Sequence, residues 1–224
     1  MHITVYSVSG APRPWRVLLG LAFKGIDYDI HTLQASKGEH KAPEYLKLNP
    51  RGTVPTVVAD DLVIRDSLGA LAWLDRAFPT APLFGDTANA AANIWQIATE
   101  SSDYLRGATN DALFPLLVQG KPFPAPDTEA GAATSAAIGK LKSECQRLED
   151  LLDGQPYLAG EKPSAADAVS FPDVRLIERA VDTRFTDMDA YGMTDLAGQF
   201  PNLDAWKTRI SRLPGYDKTT PSHW

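Results

Sequence analysis

Two short motifs, Val54-Pro55 and Asp66-Ser67, lie eleven residues apart in the first third of the chain. A proline at the start of a strand is tolerated because it need not donate to the ladder. If the Val54–Pro55 bond is cis, Val54 can turn its N–H and C=O away from the sheet and toward a ligand. Ser67 at a helix start offers a hydroxyl and free N–H groups to an anion, and Asp66 offers a carboxylate to an amine. Such a set of groups fits a zwitterionic peptide.

The motifs fall within an alternation of predicted strands and helices over residues 1–79. The order β-α-β-α-β-β-α predicts a parallel crossover followed by an antiparallel hairpin. Taken alone, Pro55 could simply interrupt a strand, and Asp66-Ser67 could simply cap a helix. Their joint spacing within the β-α-β-α-β-β-α order favours a binding site. The predicted strands cover residues 3–8, 27–33, 54–58 and 62–64, and the predicted helices cover residues 15–23, 41–48 and 67–77.

The composition changes after residue 79, where a linker over residues 79–87 precedes a region without strand patterns. Apolar residues at helical spacing indicate that this region is all helical. A proline-rich break at residues 120–127 forms a lid or simply connects two helices. The chain is therefore predicted to have an α/β domain at 1–79 and a helical domain at 88–224, with helices over residues 88–117, 128–152, 164–181 and 202–213.

Composition excludes several classes of function. The net charge is −6 without a basic run, which makes nucleic acid an unfavourable partner. A single cysteine and four scattered histidines exclude an internal disulfide and a Cys- or His-based metal site. No apolar run has the length of a membrane span, and no signal peptide is evident. We therefore expect a cytoplasmic protein with no metal and no membrane partner.

The motifs in this order resemble the thioredoxin-like domain of cytosolic glutathione transferases, most closely the zeta-like and related bacterial members. The resemblance is carried by Tyr6-Ser7, Trp15-Arg16-Val17, residues 24–28 (KGIDY) and the run from Asn49-Pro50 to Pro55-Thr56. It implies an α/β thioredoxin-like N-terminal domain followed by an all-α helical domain. It also implies that Val54, beside Pro55, pairs with the cysteinyl backbone of glutathione, and that Asp66-Ser67 holds the γ-glutamyl end.

A second family pattern lies in the helical region, at Gly160-Glu-Lys-Pro-Ser164-Ala-Ala-Asp167. It matches the G-x-x-x-[ST]-x-A-D pattern of these transferases. Ser164 is predicted to be the N-cap and Asp167 the third helical residue, each satisfying an otherwise unpaired N–H. We interpret the pattern as a folding element without a chemical role.

The residue that activates the glutathione thiol departs from the family pattern. Family members have a Ser, Tyr or Cys just after the first strand, whose donor lowers the thiol pKa. A gapless match puts Ala11 at the serine position and Pro12 at the next one, and neither side chain can donate. Three alternatives stay open: Ser9, two residues earlier; the Arg13 cation, which favours thiolate; or the backbone and helix dipole alone.

The remaining site residues are assigned by their position in the resemblance. The glycyl carboxylate of glutathione needs a donor, and the candidates are His40 and Lys41, with Arg51 as a third. A second-substrate pocket is expected between the domains, lined by Tyr104, Arg106 and Phe114, with Trp224 a further possibility. The competing interpretation is that these side chains have no binding role and are either exposed to solvent or part of the core. Cys145 lies on an apolar helix face and is interpreted as a core residue.

The resemblance implies an enzyme that adds the glutathione thiolate to a small hydrophobic electrophile in detoxification, as a homodimer, with glutathione as co-substrate. One alternative keeps glutathione and changes the reaction to isomerisation, dehalogenation or ether cleavage, which use the same thiolate. Another is a non-catalytic interaction module. The absent serine favours the module, whereas the intact peptide-binding motifs disfavour it.

Overall fold

The computed structural model describes residues 1–221 and 223–224. Its N-terminal part is a four-stranded sheet in the order β2-β1-β3-β4. Strand β2 runs parallel to β1, whereas β3 runs antiparallel to both β1 and β4. This confirms the predicted crossover and hairpin. The strands are β1 Ile3–Ser7, β2 Asp29–Thr32, β3 Thr56–Ala59 and β4 Leu62–Ile64, and the helices are α1 Pro12–Lys24, α2 Pro43–Leu48 and α3 Ser67–Ala77.

Helices α1 and α3 pack together beside the sheet. The alternation of β1 buries Ile3 and Val5 completely, because side chains two apart share a face of a strand. Gly20 of α1 permits the close approach, since a Cβ atom there would lie 2.3 Å from Cδ2 of Leu71 on α3. This part of the chain therefore has the expected thioredoxin-like arrangement of helices packed on a sheet. Helix α1 begins three residues earlier than its apolar pattern predicted.

The second part of the chain is helical and is built around α7, which packs against α1, α4 and α5. The predicted helix over residues 88–117 is continuous but contains one π-helical turn at Ser101–Leu105. Three short helices, α8, α9 and α11, were not predicted. The helices are α4 Ala88–Glu100, α5 Arg106–Leu117, α6 Glu129–Leu151, α7 Ala165–Thr183, α8 Phe185–Asp189, α9 Leu196–Gln199, α10 Pro201–Ser211 and α11 Tyr216–Thr219.

Helix α7 begins with the predicted capping box. The Ser164 hydroxyl accepts from the Ala166 N–H at 3.2 Å, and Asp167 Oδ2 accepts from the Ser164 N–H at 2.8 Å. Asp167 Oδ1 accepts from the Leu158 N–H at 3.0 Å and from Trp206 Nε1 at 2.7 Å. Burial raises the pKa of Asp167, and these hydrogen bonds oppose the rise. The motif thus ties the start of α7 to the preceding loop and to α10.

A buried ionic cluster joins the two parts of the chain. Arg16 of α1 donates to Asp173 Oδ2 at 3.2 Å and to the Ser102 hydroxyl at 2.9 Å. Arg106 donates to the other Asp173 oxygen at 2.8 Å. Arg16 and Asp173 are both fully buried, and burial lowers the pKa of Arg16 although Asp173 opposes the change. The pairing of one aspartate with two arginines fixes α1 against α5 and α7.

No helix in the described part of the chain is both long and apolar enough to cross a membrane.

Candidate functional site

The register of the sheet brings three loops to one edge. Tyr6 near the end of β1 faces Thr56 at the start of β3, and Val57 faces Ile64 at the end of β4. Antiparallel neighbours alternate in direction, so the residues after β1, before β3 and after β4 share that edge. Val54-Pro55 and Asp66-Ser67, which are separate in sequence, therefore lie beside the loop at residues 8–11.

The Val54–Pro55 peptide bond is cis. No hydrogen bond from the residues that the structure describes reaches the N–H or C=O of Val54. Two side-chain hydrogen bonds fix the preceding loop: Asn49 Nδ2 donates to the Thr53 carbonyl at 2.8 Å, and the Tyr45 hydroxyl donates to the same carbonyl at 2.6 Å. A fixed backbone with an unpaired donor and an unpaired acceptor is suited to pair with an extended peptide.

The start of α3 has the second set of unpaired groups. Asp66 is the N-cap, and its Oδ1 accepts from the Gly69 N–H at 2.9 Å, which leaves Oδ2 without a partner among the described residues. Ser67 is only 2% exposed. Within the described ranges, its hydroxyl makes no hydrogen bond to protein, and the N–H groups of Ser67 and Leu68 are likewise unpaired. A carboxylate ligand fits the hydroxyl and N–H groups, and an amine fits Asp66.

The candidates for the glycyl carboxylate lie beside this loop. Lys41 Nζ donates to the Arg51 carbonyl at 3.0 Å, so Arg51 contributes its backbone here. Gly52 has φ +58° and accommodates the segment, because a Cβ atom there would lie 2.7 Å from the His40 carbonyl oxygen. His40 Nδ1 is buried and has no partner among the described residues. His40 and Lys41 therefore both border the residues that lead to Val54.

The loop after β1 forms a tight turn around Ser9 and Gly10. The Ala11 N–H donates to the Val8 carbonyl at 3.0 Å, and Gly10 has φ +78°, the left-handed conformation that favours glycine at the third position of such a turn. Ser9 is exposed, and its Oγ lies 3.0 Å from Nδ1 of His223. Ala11 is the N-cap residue of α1 and its side chain makes no capping bond.

The first turn of α1 offers few backbone donors. Pro12 and Pro14 have no N–H, and the Trp15 N–H bonds to the Ala11 carbonyl at 3.4 Å. Arg13 alone among these four residues has an N–H without an intrahelical partner, and its side chain is exposed. The backbone alternative for thiol activation therefore rests on the Arg13 N–H and the helix dipole, and it stands beside the Ser9 and Arg13 side chains as a candidate.

The predicted second-substrate residues are not all gathered in one cavity. Arg106 and Phe114 border a cavity of about 40 Å³, which Tyr104 does not line. Tyr104 is 65% and Phe114 45% exposed, so neither ring is a core residue. Arg106 is committed to Asp173, and Trp224 packs edge-on against Trp15 with ring centroids 5.0 Å apart.

Cys145 is fully buried, and burial raises the pKa of its thiol to about 12. A thiol with this pKa is a poor nucleophile at neutral pH, in agreement with the interpretation of Cys145 as a core residue. No group of three or more His, Cys, Asp or Glu side chains in the described part of the chain is arranged to hold a metal ion.

The fold defines a thioredoxin-like part followed by a helical part, with unpaired polar groups among the described residues at one edge of the sheet, and comparison with known proteins identifies the family. Residues 11–77 match the model of the glutathione S-transferase N-terminal domain, and residues 131–208 match that of the C-terminal domain. Glutathione S-transferase 1 of Dianthus caryophyllus is 31% identical over 76% of this chain and 75% of its own. The chain belongs to the glutathione S-transferase family and is a glutathione transferase.

Two further relatives extend the comparison over nearly the whole chain. A zeta-class glutathione S-transferase of Euphorbia esula is 27% identical over 98% of this chain and 90% of its own. The crystal structure of a glutathione S-transferase from the Antarctic clam Laternula elliptica is 29% identical and superposes with a TM-score of 0.79, covering 100% of this chain and 94% of that one. The predicted family and fold class are confirmed.

Two long-range contacts were not predicted from the sequence. His223 contacts Ser9 although the two residues are 214 positions apart, and no local pattern marks that pairing. The Arg16–Asp173 pair likewise joins residues 157 positions apart. For the Arg16–Asp173 pair, the one indication in the sequence was an arginine on an apolar helix face, since a buried charge needs a partner.

Proposed function

We propose that this glutathione transferase binds glutathione along the edge formed by Val54 and Asp66-Ser67 and adds its thiolate to a small hydrophobic electrophile. The observation that carries the proposal is the set of unpaired groups at that edge: the Val54 backbone, the Ser67 hydroxyl and the free oxygen of Asp66. The chemistry of these groups suits a peptide with a free amine and carboxylate at one end. Detoxification in the cytoplasm is part of the same proposal.

Glutathione is held at three points in this arrangement. Val54 pairs with the cysteinyl backbone, with Pro55 fixing the strand start. Asp66 accepts from the γ-glutamyl amine, and Ser67 with the first-turn N–H groups donates to the γ-glutamyl carboxylate. His40 and Lys41 donate to the glycyl carboxylate. The cysteinyl sulfur then lies near Ser9 and Arg13, at the start of α1.

The binding mode is tested with Ser67→Ala. Loss of a charge-assisted hydrogen bond weakens glutathione binding by about 1–3 kcal/mol. Thr87→Ala is the matched control, because Thr87 also stands at a helix start and accepts from the Ala90 N–H, but far along the chain from the edge. Calorimetry should find weaker glutathione binding in the first variant alone. Equal affinities in both variants and the parent protein would contradict the binding mode.

The activating group is tested by titrating the ultraviolet absorbance of the bound thiolate. A hydroxyl that donates to sulfur stabilises only the charged form. Ser9→Ala is therefore expected to raise the pKa of bound glutathione by about 1–2 units toward its ordinary value, with a smaller change in affinity. If Arg13→Ala produces that rise and Ser9→Ala does not, the cation is responsible. If neither variant moves the titration, both assignments are wrong.

The electrophile is expected to meet the thiolate on the side of the helical domain that carries Tyr104, Arg106 and Phe114. Since Arg106 already pairs with Asp173, Tyr104 and Phe114 supply the free apolar surface. Replacing both rings with alanine should raise KM for an aromatic electrophile while leaving glutathione affinity near its original value. An unchanged KM would remove these residues from the pocket.

We also propose a homodimer, as the family resemblance implies, with the edge of each N-terminal domain against the helical domain of the partner. Sedimentation equilibrium is expected to give about twice the chain mass of 24.3 kDa. A mass near that of one chain at micromolar concentration would contradict the dimer.

A further inference from the structure

The residues that follow α10 return to the start of α1 and to the turn at Ser9 and Gly10. We define the closing segment as residues 216–221 and 223–224. Trp15 Nε1 of α1 donates to the Thr219 hydroxyl at 3.0 Å. The Trp224 ring packs between Trp15 and the guanidinium of Arg179, whose carbon lies 5.0 Å from the ring centroid. The segment is thus anchored by hydrogen-bonding, aromatic and cation–π contacts.

The closing segment meets the turn after β1 at van der Waals distance. A Cβ atom at Gly10 would lie 3.1 Å from Nε1 of Trp224 and 3.4 Å from Cε1 and Nε2 of His223. The absence of a side chain at Gly10 therefore lets both rings approach the backbone of the turn. This contact brings the His223 ring to Ser9, where Nδ1 and Oγ are 3.0 Å apart.

The direction of this hydrogen bond decides what Ser9 can do for a neighbouring thiol. A serine hydroxyl has one proton to donate. If Nδ1 accepts that proton, Ser9 presents only lone pairs to the sulfur and favours the thiol. If Nδ1–H donates to Oγ, the Ser9 proton is free for the sulfur and favours the thiolate. A hydroxyl that accepts one hydrogen bond is also a stronger donor in the next, because a chain of hydrogen bonds is polarised.

We propose that His223 is a positioning residue that donates from Nδ1 to Ser9 and so aims the Ser9 hydroxyl at the glutathione sulfur. The inference rests on the role proposed for Ser9. His223 takes no proton from the thiol: that proton leaves to water, and the sulfur keeps the electron pair. The closing segment thereby supplies the partner that fixes Ser9 on an otherwise exposed turn.

The test measures the pKa of bound glutathione in variants of His223 and Ser9 and in one control variant. His223→Phe keeps an aromatic ring against Gly10 but removes the donor, and should raise the thiol pKa by about half to one unit. His223→Asn keeps an N–H near the position of Nδ1 and should restore most of the effect. Ser9→Ala with His223→Phe should raise the pKa no further than Ser9→Ala alone, since the histidine acts through the serine.

Lys218→Ala is the control for a merely structural role. Lys218 anchors the closing segment by donating to the Tyr28 carbonyl at 2.6 Å and does not contact Ser9. This variant is expected to leave the thiol pKa near that of the parent protein. A rise equal to that of His223→Phe would mean that any loosening of the segment has the effect, and would overturn the positioning role.

The remaining outcomes separate the two proposals. A rise in Ser9→Ala with none in His223→Phe leaves the Ser9 role standing and overturns the role of His223. No rise in Ser9→Ala overturns both. Additive rises in the double variant would make His223 an independent group rather than a positioning residue. Loss of retention on immobilised glutathione by His223→Phe would give the histidine a binding role instead, which also contradicts the inference.

Discussion

Helices α3 and α7 begin with the same residue types, an aspartate and a serine, and use them differently. At α7, Asp167 is fully buried and both of its oxygens accept two hydrogen bonds each. At α3, Asp66 is exposed and uses one oxygen, while Ser67 leaves its hydroxyl unpaired among the described residues. The comparison teaches that satisfied donors and acceptors hold a fold, whereas the same groups left unpaired at a sheet edge are available to a ligand, as proposed for Asp66 and Ser67.

The largest effect is expected at the satisfied helix start. Asp167→Asn replaces one acceptor oxygen with an NH₂ group, which leaves two buried donors without an acceptor. We expect the free energy of unfolding to fall by about 3–5 kcal/mol. Urea denaturation measures this free energy. Asp195→Asn is the control, because Asp195 caps α9 at an exposed site and Asn is an equally good N-cap there. Comparable losses of unfolding free energy in both variants would show that burial of the aspartate does not determine the cost.

Asp66→Ala is expected to have a smaller effect on stability and a specific one on binding. Loss of an exposed N-cap costs about 1 kcal/mol of stability. Loss of the carboxylate should also weaken glutathione binding about tenfold or more, because the amine loses its counter-charge. Asp66→Asn separates the effect on stability from the effect on binding, since Asn caps a helix but carries no charge. If Asp66→Asn binds glutathione as well as the parent protein, the amine is held elsewhere.

Trp206→Phe tests one contact of the satisfied start. Phenylalanine keeps most of the apolar volume but cannot donate to Asp167 Oδ1, which retains the Leu158 N–H. We expect a stability loss of about 1–2 kcal/mol and no change in glutathione affinity. Denaturation and calorimetry on the same preparation compare the two quantities. A change in affinity without a change in stability would reverse the roles assigned to α7 and α3.

The smallest expected effect is a rate of thiol labelling. Burial raises the pKa of Cys145 to about 12, so the folded protein should react very slowly with an alkylating reagent at neutral pH. Asp167→Asn should accelerate labelling because the helical domain opens more often. Ser67→Ala should leave the labelling rate unchanged. Equal acceleration in both variants would show that the open helix start also supports the core.

The proposed glutathione-binding edge at Val54-Pro55 and Asp66-Ser67 could be suggested from sequence because its parts are local. A proline at a strand start and a capping pair at a helix start are recognisable within a few residues, and the strand order then sets them side by side. Strand β2 was predicted three residues too long, since its four residues are all exposed and apolar alternation does not mark its ends. The start of α1 was predicted late because Pro12 and Pro14 belong to its first turn.

The interdomain groups could not be predicted in the same way. Arg106 was predicted from its helix to line a pocket, but its partner Asp173 lies 67 residues further along the chain. The Ser9–His223 contact depends on how the helical domain returns the chain to α1. Such pairings are set by the packing of α7 against α1 and α5, and a pattern within one segment contains no information about them.

The Arg16–Asp173 pairing has a consequence for the independence of the two domains. Arg16 belongs to the α/β domain, but its partners Ser102 and Asp173 belong to the helical domain. Separating the domains would break these contacts of Arg16, which neither domain can make alone. The chain is therefore expected to melt in a single cooperative transition. A chimera that takes its two domains from different relatives would need an arginine in the first domain matched to an aspartate and a serine in the second to keep these contacts.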